Sequence, residues 1–398
     1  MTPIPRLRPY AGPALLSYGF RPFFLLGAIW AGAAILAWLP MFYGELVVST
    51  AFAPPDWHVH EMIYGYVAAV VTGFLLTAVP NWTGRLPVQG TPLAALLALW
   101  LAGRIAVVAS AHIGWLAAAV IDVAFLVGVA AVAAREIAAG RNWGNLKILV
   151  VLAVLIAGNV TFHLEAHLRG VADYGIRIGI AALLALIMIV GGRIVPSFTR
   201  NWLARENPGR LPVPFGRFDV AALAFGVLAL AAWIALPFGG VTGVLLLAAG
   251  CIQCVRLARW AGDRTARDRL VLVLHLGYAF VPLGFLLAGL GALGIIAPSA
   301  GIHAWTVGAI GTMTLAVMTR ASLGHTGHEM RASWSTQAIY AAVLVAAVAR
   351  ICAALEPTHA EVLLHVAAFG WAAAFLGFAV TYGPLLMAPR QVTKVVPA

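Results

Sequence analysis

Apolar residues run along this chain in long unbroken stretches, and polar residues collect in short intervals between them. Twelve stretches, at about 15–42, 60–80, 92–112, 115–137, 146–167, 175–196, 218–236, 239–260, 270–293, 299–320, 335–355 and 360–387, come close to or exceed the length a membrane-crossing helix needs, roughly 20 apolar residues. Their continuity excludes the alternating segments of a membrane β-barrel. The intervals are too short to hold a soluble domain. The pattern predicts an all-α, polytopic membrane protein, one integral domain over 1–398 with twelve transmembrane helices.

Composition agrees, with 62% hydrophobic residues, 10% charged residues and a mean hydropathy of +0.95. A net charge of +11 raises the question of nucleic acid, but the placement of the cations answers it. Almost every Lys and Arg falls at the termini or in the even-numbered loops; the odd-numbered side has Arg169 and Arg177, and Arg104 and Arg350 lie inside spans. By the positive-inside rule both termini are expected in the cytoplasm, with lipid and not nucleic acid as the partner. The first apolar run is long and lacks a small-residue cleavage site, so no cleavable signal peptide is expected. Three cysteines set no disulfide framework, and Cys251 and Cys254 are followed by Val255 where c-type heme attachment needs His.

The polar residues inside the spans carry the chemistry, because an ionisable group in hydrocarbon is costly and generally faces a bundle interior. Trp57-His58-Val59-His60-Glu61-Met62 opens the second span. Two residues apart on a helix is about 200°, so His58 and His60 cannot share one metal, and His60 is the better inward-facing candidate. Glu61 is placed to orient a ligand. Arg104 in span 3 needs a counter-charge, either Asp122 in span 4 or an anionic cofactor group. His163 and His167 at the end of span 5 are four apart and share a helix face, a competent two-ligand arrangement for Cu, Fe, Ni or Zn; the alternative is a polar helix end near the surface. Glu165 lies between them. Span 9 holds His275, span 10 opens with His303 and ends in a turn with His325 and His328, and span 11 holds Arg350.

A repeat ties these together. From His60 to Thr83 is 23 residues, as from His303 to Thr326; Gly follows each Thr and stands five after each His, at Gly65 and Gly308. Thr199 holds the same exit position in span 6, three after Pro196 as Thr83 is three after Pro80. Spans 2, 6 and 10 therefore read as equivalent members of three four-helix units at about 15–137, 146–260 and 270–387. With cytoplasmic termini, eight of the 11 histidines fall toward the outer side, which points to one or two metal or redox centres there.

Trp57-His58-x-His60-Glu61-Met62-x-x-Gly65, Gly191-Gly192-Arg193-x-x-Pro196-x-Phe198-Thr199, Met318-x-Arg320-Ala321-x-x-Gly324-His325-Thr326-Gly327 and Gly19-Phe20-Arg21-Pro22-Phe23-Phe24 resemble the NnrS family over nearly the whole chain. The resemblance implies a bacterial inner-membrane protein that binds heme and copper and works in nitric-oxide metabolism or relief of nitrosative stress, beside denitrification. Twelve spans with a His near the outer end of spans 2 and 10 are also similar, more distantly, to the catalytic subunits of heme-copper oxidases and nitric-oxide reductases. Span 10 has one His where those enzymes have an H-x-H pair, so their metal site cannot be copied here.

The expectation is a heme- and copper-containing oxidoreductase acting on nitric oxide. His60 and His303 are the candidate axial ligands of a b-type heme, Arg104 and Arg350 its propionate partners, and His163 and His167 the metal ligands of a second centre. Glu61 and Glu165 supply the surrounding carboxylates, His325 and His275 a proton route, and quinol or another donor the electrons. The rival class is a carrier or sensor of heme, copper or nitric oxide without turnover, and a third reading is a scaffold with structural histidines.

Overall fold

A computed structural model of the chain describes residues 10–391. Twelve of its helices are long and apolar enough to cross a membrane: α1 (Phe20–Phe42), α2 (Pro54–Thr83), α3 (Thr91–Val108), α4 (Trp115–Ala139), α5 (Trp143–Arg169), α6 (Tyr174–Glu206), α7 (Arg217–Ala235), α8 (Gly240–Ala258), α9 (Arg269–Ala292), α10 (Pro298–Thr326), α11 (Trp334–Leu355) and α12 (Pro357–Met387). No strand occurs among the described residues. The protein is a multi-pass, all-α membrane protein.

The largest departure from the apolar pattern is at α2, which starts at Pro54, six residues before the apolar run. Pro54 is at the first helical position, where its missing N–H costs nothing. Asp56 follows in the first turn, where a carboxylate suits the positive end of the helix dipole. Trp57 and His58 are therefore helical, and α2 is the most enclosed span, with 83% of its apolar window buried.

The chain divides into two compact units, one of residues 1–179, 318–330 and 375–398, the other of 180–317 and 331–374. In the first, α2 packs against α1, α3 and α4, and α4 packs against α5. Arg21 in the first turn of α1 donates through Nη1 to the carbonyls of Leu386 (2.8 Å) and Ala388 (2.6 Å) at the end of α12. Those carbonyls lack partners within their own helix, so the guanidinium closes that terminus.

In the second unit, α8 packs along α9 and against α7. Arg256 is fully buried and donates to Asp219 (3.1 Å), the Met188 carbonyl (3.1 Å) and the Tyr278 hydroxyl (2.9 Å). A Cβ at Gly192 would stand 2.1 Å from Arg256 Nη2, and one at Gly191 would touch the Tyr278 ring at 3.3 Å. The Gly-Gly pair of α6 is thus the bed on which this polar cluster lies.

Two helices carry the same irregularity. Directly after His60 the turn of α2 widens to a π-helix, Glu61–Val67, and directly after His303 that of α10 does so over Ala304–Gly311. Gly84 and Gly327 follow these helices in left-handed conformations, φ +70° and +81°. Thr83, Thr199 and Thr326 each return a hydroxyl hydrogen bond to the carbonyl four residues earlier, at 2.9, 2.8 and 2.7 Å. The equal spacing in α2 and α10 thus goes with a π turn after each histidine and a left-handed glycine at each exit.

Arg21→Leu is expected to leave the buried Leu386 carbonyl at the end of α12 unpaired and to lower stability by about 2 kcal/mol, the scale of a charge-assisted hydrogen bond. Thermal unfolding in detergent reads this, and Arg21→Lys should recover part of the loss. An unchanged melting temperature in Arg21→Leu would remove the guanidinium from this role.

Candidate metal centre

A regular α-helix separates consecutive side chains by about 100°, yet His60 and Glu61 are both fully buried. A π-helix starts at Glu61 and widens the turn where the two side chains leave the helix, a device found repeatedly at functional sites. His58, two residues back, turns elsewhere and stacks on Trp38 with ring centroids 4.3 Å apart. The carbonyl of Gly65, within the π segment, accepts from Trp100 Nε1 at 2.9 Å.

Arg104 of α3 reaches into this turn. Its Nη1 donates to both oxygens of Glu61 at 2.7 Å, and its Nη2 donates to Asp122 Oδ1 of α4. Glu61 Oε2 also accepts from Trp30 Nε1 at 2.7 Å. A Cβ at Gly65 would stand 2.6 Å from Arg104 Nη1 and 2.9 Å from Glu61 Oε2. Glycine at this position is what lets the ion pair lie against the helix.

The two imidazoles meet on the other side of Asp122. His60 Nδ1 lies 3.0 Å from Glu61 Oε1, and its Nε2 lies 3.2 Å from Asp122 Oδ2 and 3.1 Å from Asn159 Oδ1. His163 Nε2 approaches the same Asp122 Oδ2 at 3.2 Å. Asn159 Nδ2 donates to that oxygen at 2.8 Å. His60, Asp122 and His163 thus offer three ligand atoms within 4.8 Å of one another, and all three residues are buried.

The surroundings exclude water. The rings of Phe52, Phe162, Tyr64 and His163 stand 5.0–5.4 Å from that of His60. Inside this shell are two carboxylates and one guanidinium, so the fixed charges leave one negative charge in surplus. Both ring nitrogens of His60 face oxygen acceptors, so the balance is closed by an imidazolium there or by a metal ion in place of its Nε2 proton. A buried charge has to be paired, and the donor set, two imidazoles and a carboxylate, suits a first-row transition ion.

The other candidate residues lie as follows. His167, one turn beyond His163, is exposed and stacks on Trp115 at 4.2 Å and 13°. Glu165 accepts from the backbone N–H of Asp173 (3.0 Å) and Gly175 (2.9 Å), capping the start of α6 and not orienting His163. His303 is half-buried and donates through Nδ1 to the Ser299 carbonyl at 2.7 Å. Arg350 is half-buried in α11, with no acidic partner among the described residues. His275 Nε2 bonds the Thr199 hydroxyl at 2.8 Å, and His325 stacks on Tyr18 at 5.5 Å. Of the eight histidines expected toward the outer side, His60 and His163 converge, while His112 and His359 are exposed. The residue that sequence reasoning passed over is Asn159; it sits four before His163, on the same face of α5, and that spacing was the available signal.

Comparison with curated proteins found no match. The family model described as NnrS protein matches residues 14–390, nearly the whole chain, and takes in α1 through α12 together with every residue of the buried centre. The protein is therefore a multi-pass membrane protein belonging to the NnrS family.

Proposed function

We propose that this protein holds a transition-metal ion between His60, His163 and Asp122, binds nitric oxide there, and serves in its reduction or detoxification. One observation carries the reading: two imidazole Nε2 atoms converge on a single carboxylate oxygen inside a water-excluding shell. Copper is the ion we assign, in keeping with the family resemblance. Two histidines and one carboxylate are also the donors of non-heme iron(II), which is the second reading. When bound, the ion supplies a coordination position for nitric oxide and a redox couple.

The chain's own groups set that position. Glu61 takes the Nδ1–H of His60 and so presents Nε2 inward, the usual role of a carboxylate behind a metal-bound imidazole. Arg104 holds both carboxylates in place and cancels one of their charges. Asn159 orients Asp122. Phe52 and Phe162 keep the site dry.

Heme does not fit at His60, whose two ring nitrogens are both engaged by side chains and whose ring is enclosed by four others. His303 and Arg350 suit it better. The Ser299 carbonyl fixes the His303 tautomer with the lone pair on Nε2, and Arg350 brings a positive charge, without an acidic partner, on a helix packed against the start of α10. Heme there, b-type in this reading, would supply a second redox centre. Electrons would come from quinol or a partner protein. The distribution of Lys and Arg supports an inner-membrane location with cytoplasmic termini.

Metal analysis of the detergent-purified protein tests the assignment. His60→Ala, His163→Ala and Asp122→Asn are each expected to remove the ion, whereas His167→Ala keeps it, and His303→Ala removes any heme absorption without loss of the ion. A wild-type protein without stoichiometric copper or iron would refute the metal centre. A carrier would exchange its ion with an added chelator within minutes; burial of all three ligands favours retention over hours.

Arg104→Gln is expected to cost about 3–5 kcal/mol, because it strands two carboxylates inside the membrane, and thermal unfolding measures it. Adding Glu61→Gln should recover part of that loss. Gly65→Ala should lower both stability and metal content, since its Cβ displaces the Arg104–Glu61 pair; normal metal occupancy in this variant would show that the pair is not needed to shape the site.

A further inference from the structure

At the far end of α2 from His60, the loop 84–89, Pro92 and the last turn of α4 line an open cavity of about 450 Å³. We propose that this cavity receives the phosphate of an anionic phospholipid. Its polar corner is Arg85, Arg135 and Glu136; its apolar wall includes Leu86, Pro87 and Pro92.

The charges at the corner do not balance. Glu136 is buried, and its one carboxylate takes Arg85 Nε on Oε2 at 2.5 Å and Arg135 Nη2 on Oε1 at 2.8 Å. Two guanidiniums share one negative charge, so one positive charge is left for a ligand. Both arginine side chains are open, 45% and 64% exposed, and each keeps N–H groups that can meet phosphate oxygens.

What lies beneath the corner selects a lipid over a free anion. On α4 the exposed positions Val127 and Ala131 lead at four-residue spacing to Arg135, and on α3 Pro92, Ala95 and Leu99 are exposed at three- and four-residue spacing. α3 and α4 pack side by side, so these two apolar stripes run from the cavity into the depth of the membrane. A headgroup at the arginines would lay its acyl chains along them. Basic pockets between helices at the membrane boundary are recognised lipid sites. A neutral quinone would draw nothing from the surplus charge.

The test is lipid retention by the full chain, purified in detergent, stripped of lipid and offered phosphatidylglycerol, phosphatidylcholine or a quinone in mixed micelles, then read by native mass spectrometry. Phosphatidylglycerol is expected to be retained about fivefold over phosphatidylcholine, the effect of one surface cation on an anionic lipid. Arg85→Gln/Arg135→Gln should abolish that preference, and Arg135→Gln alone should reduce it, with size-exclusion elution and melting temperature confirming that each variant is folded. Millimolar inorganic phosphate should not displace the lipid. Equal retention of both lipids, a preference that survives the double substitution, displacement by phosphate alone, or stronger retention of the quinone would each overturn the proposal. None of these readouts depends on the metal centre.

Discussion

The guanidinium of Arg104 is the constraint on which the buried centre depends. Two carboxylates from different helices, Glu61 and Asp122, are held within the membrane-spanning part of the protein. Without a cation between them, like charges in a low-dielectric interior would drive α2 and α4 apart or force one carboxyl to take a proton. Arg104 bonds both. Its position in turn dictates Gly65, since any larger residue would strike its Nη1, and it fixes Asp122 so that the other carboxylate oxygen is turned to the two histidines. The ion pair and the imidazole cluster are one structure, with Asp122 shared between them.

That sharing also leaves the fixed charges of the site uneven. Arg104 and the two carboxylates alone come to one negative charge, and neutral imidazoles do not alter the sum. The sum is closed by a proton on His60, both of whose ring nitrogens face acceptors, or by a metal ion, and two nitrogens and an oxygen lie there in ligand-like proximity.

Much of the fold was legible because lipid leaves the chain little choice: backbone polar groups must be satisfied internally, so each span declares itself as a long apolar run. The start of α2 was hidden because its first two turns, Pro54 to His60, are largely polar and are held by burial of Asp56 and Trp57 and not by hydrophobic pattern. His60 was readable as inward-facing, and Arg104 as needing a counter-charge. Its second partner, Glu61, was not, since a π turn shifts the phase of the helix and leaves no mark in residue spacing. The pairing of His163 with His167 follows from four-residue periodicity, but periodicity says nothing of depth. One turn toward the helix end is enough to carry His167 out of the cluster and onto Trp115. Convergence of His163 with His60 is a tertiary fact, and only Asn159, in register with His163, hinted at it.

The two π-containing helices separate architecture from chemistry. α2 and α10 share a proline at the start, a histidine immediately before the π turn, a glycine five residues on, and a left-handed glycine at the exit. At the residue after the histidine they differ: Glu61 in α2, Ala304 in α10. The glycines serve different neighbours as well, Gly65 making room for Arg104 and Gly308 for the ring of Phe280. The helix form is thus compatible with either a polar or an apolar packing partner, so it cannot by itself be what makes a metal site. What distinguishes α2 is the pair of acids brought to its histidine, one from its own π turn and one from α4.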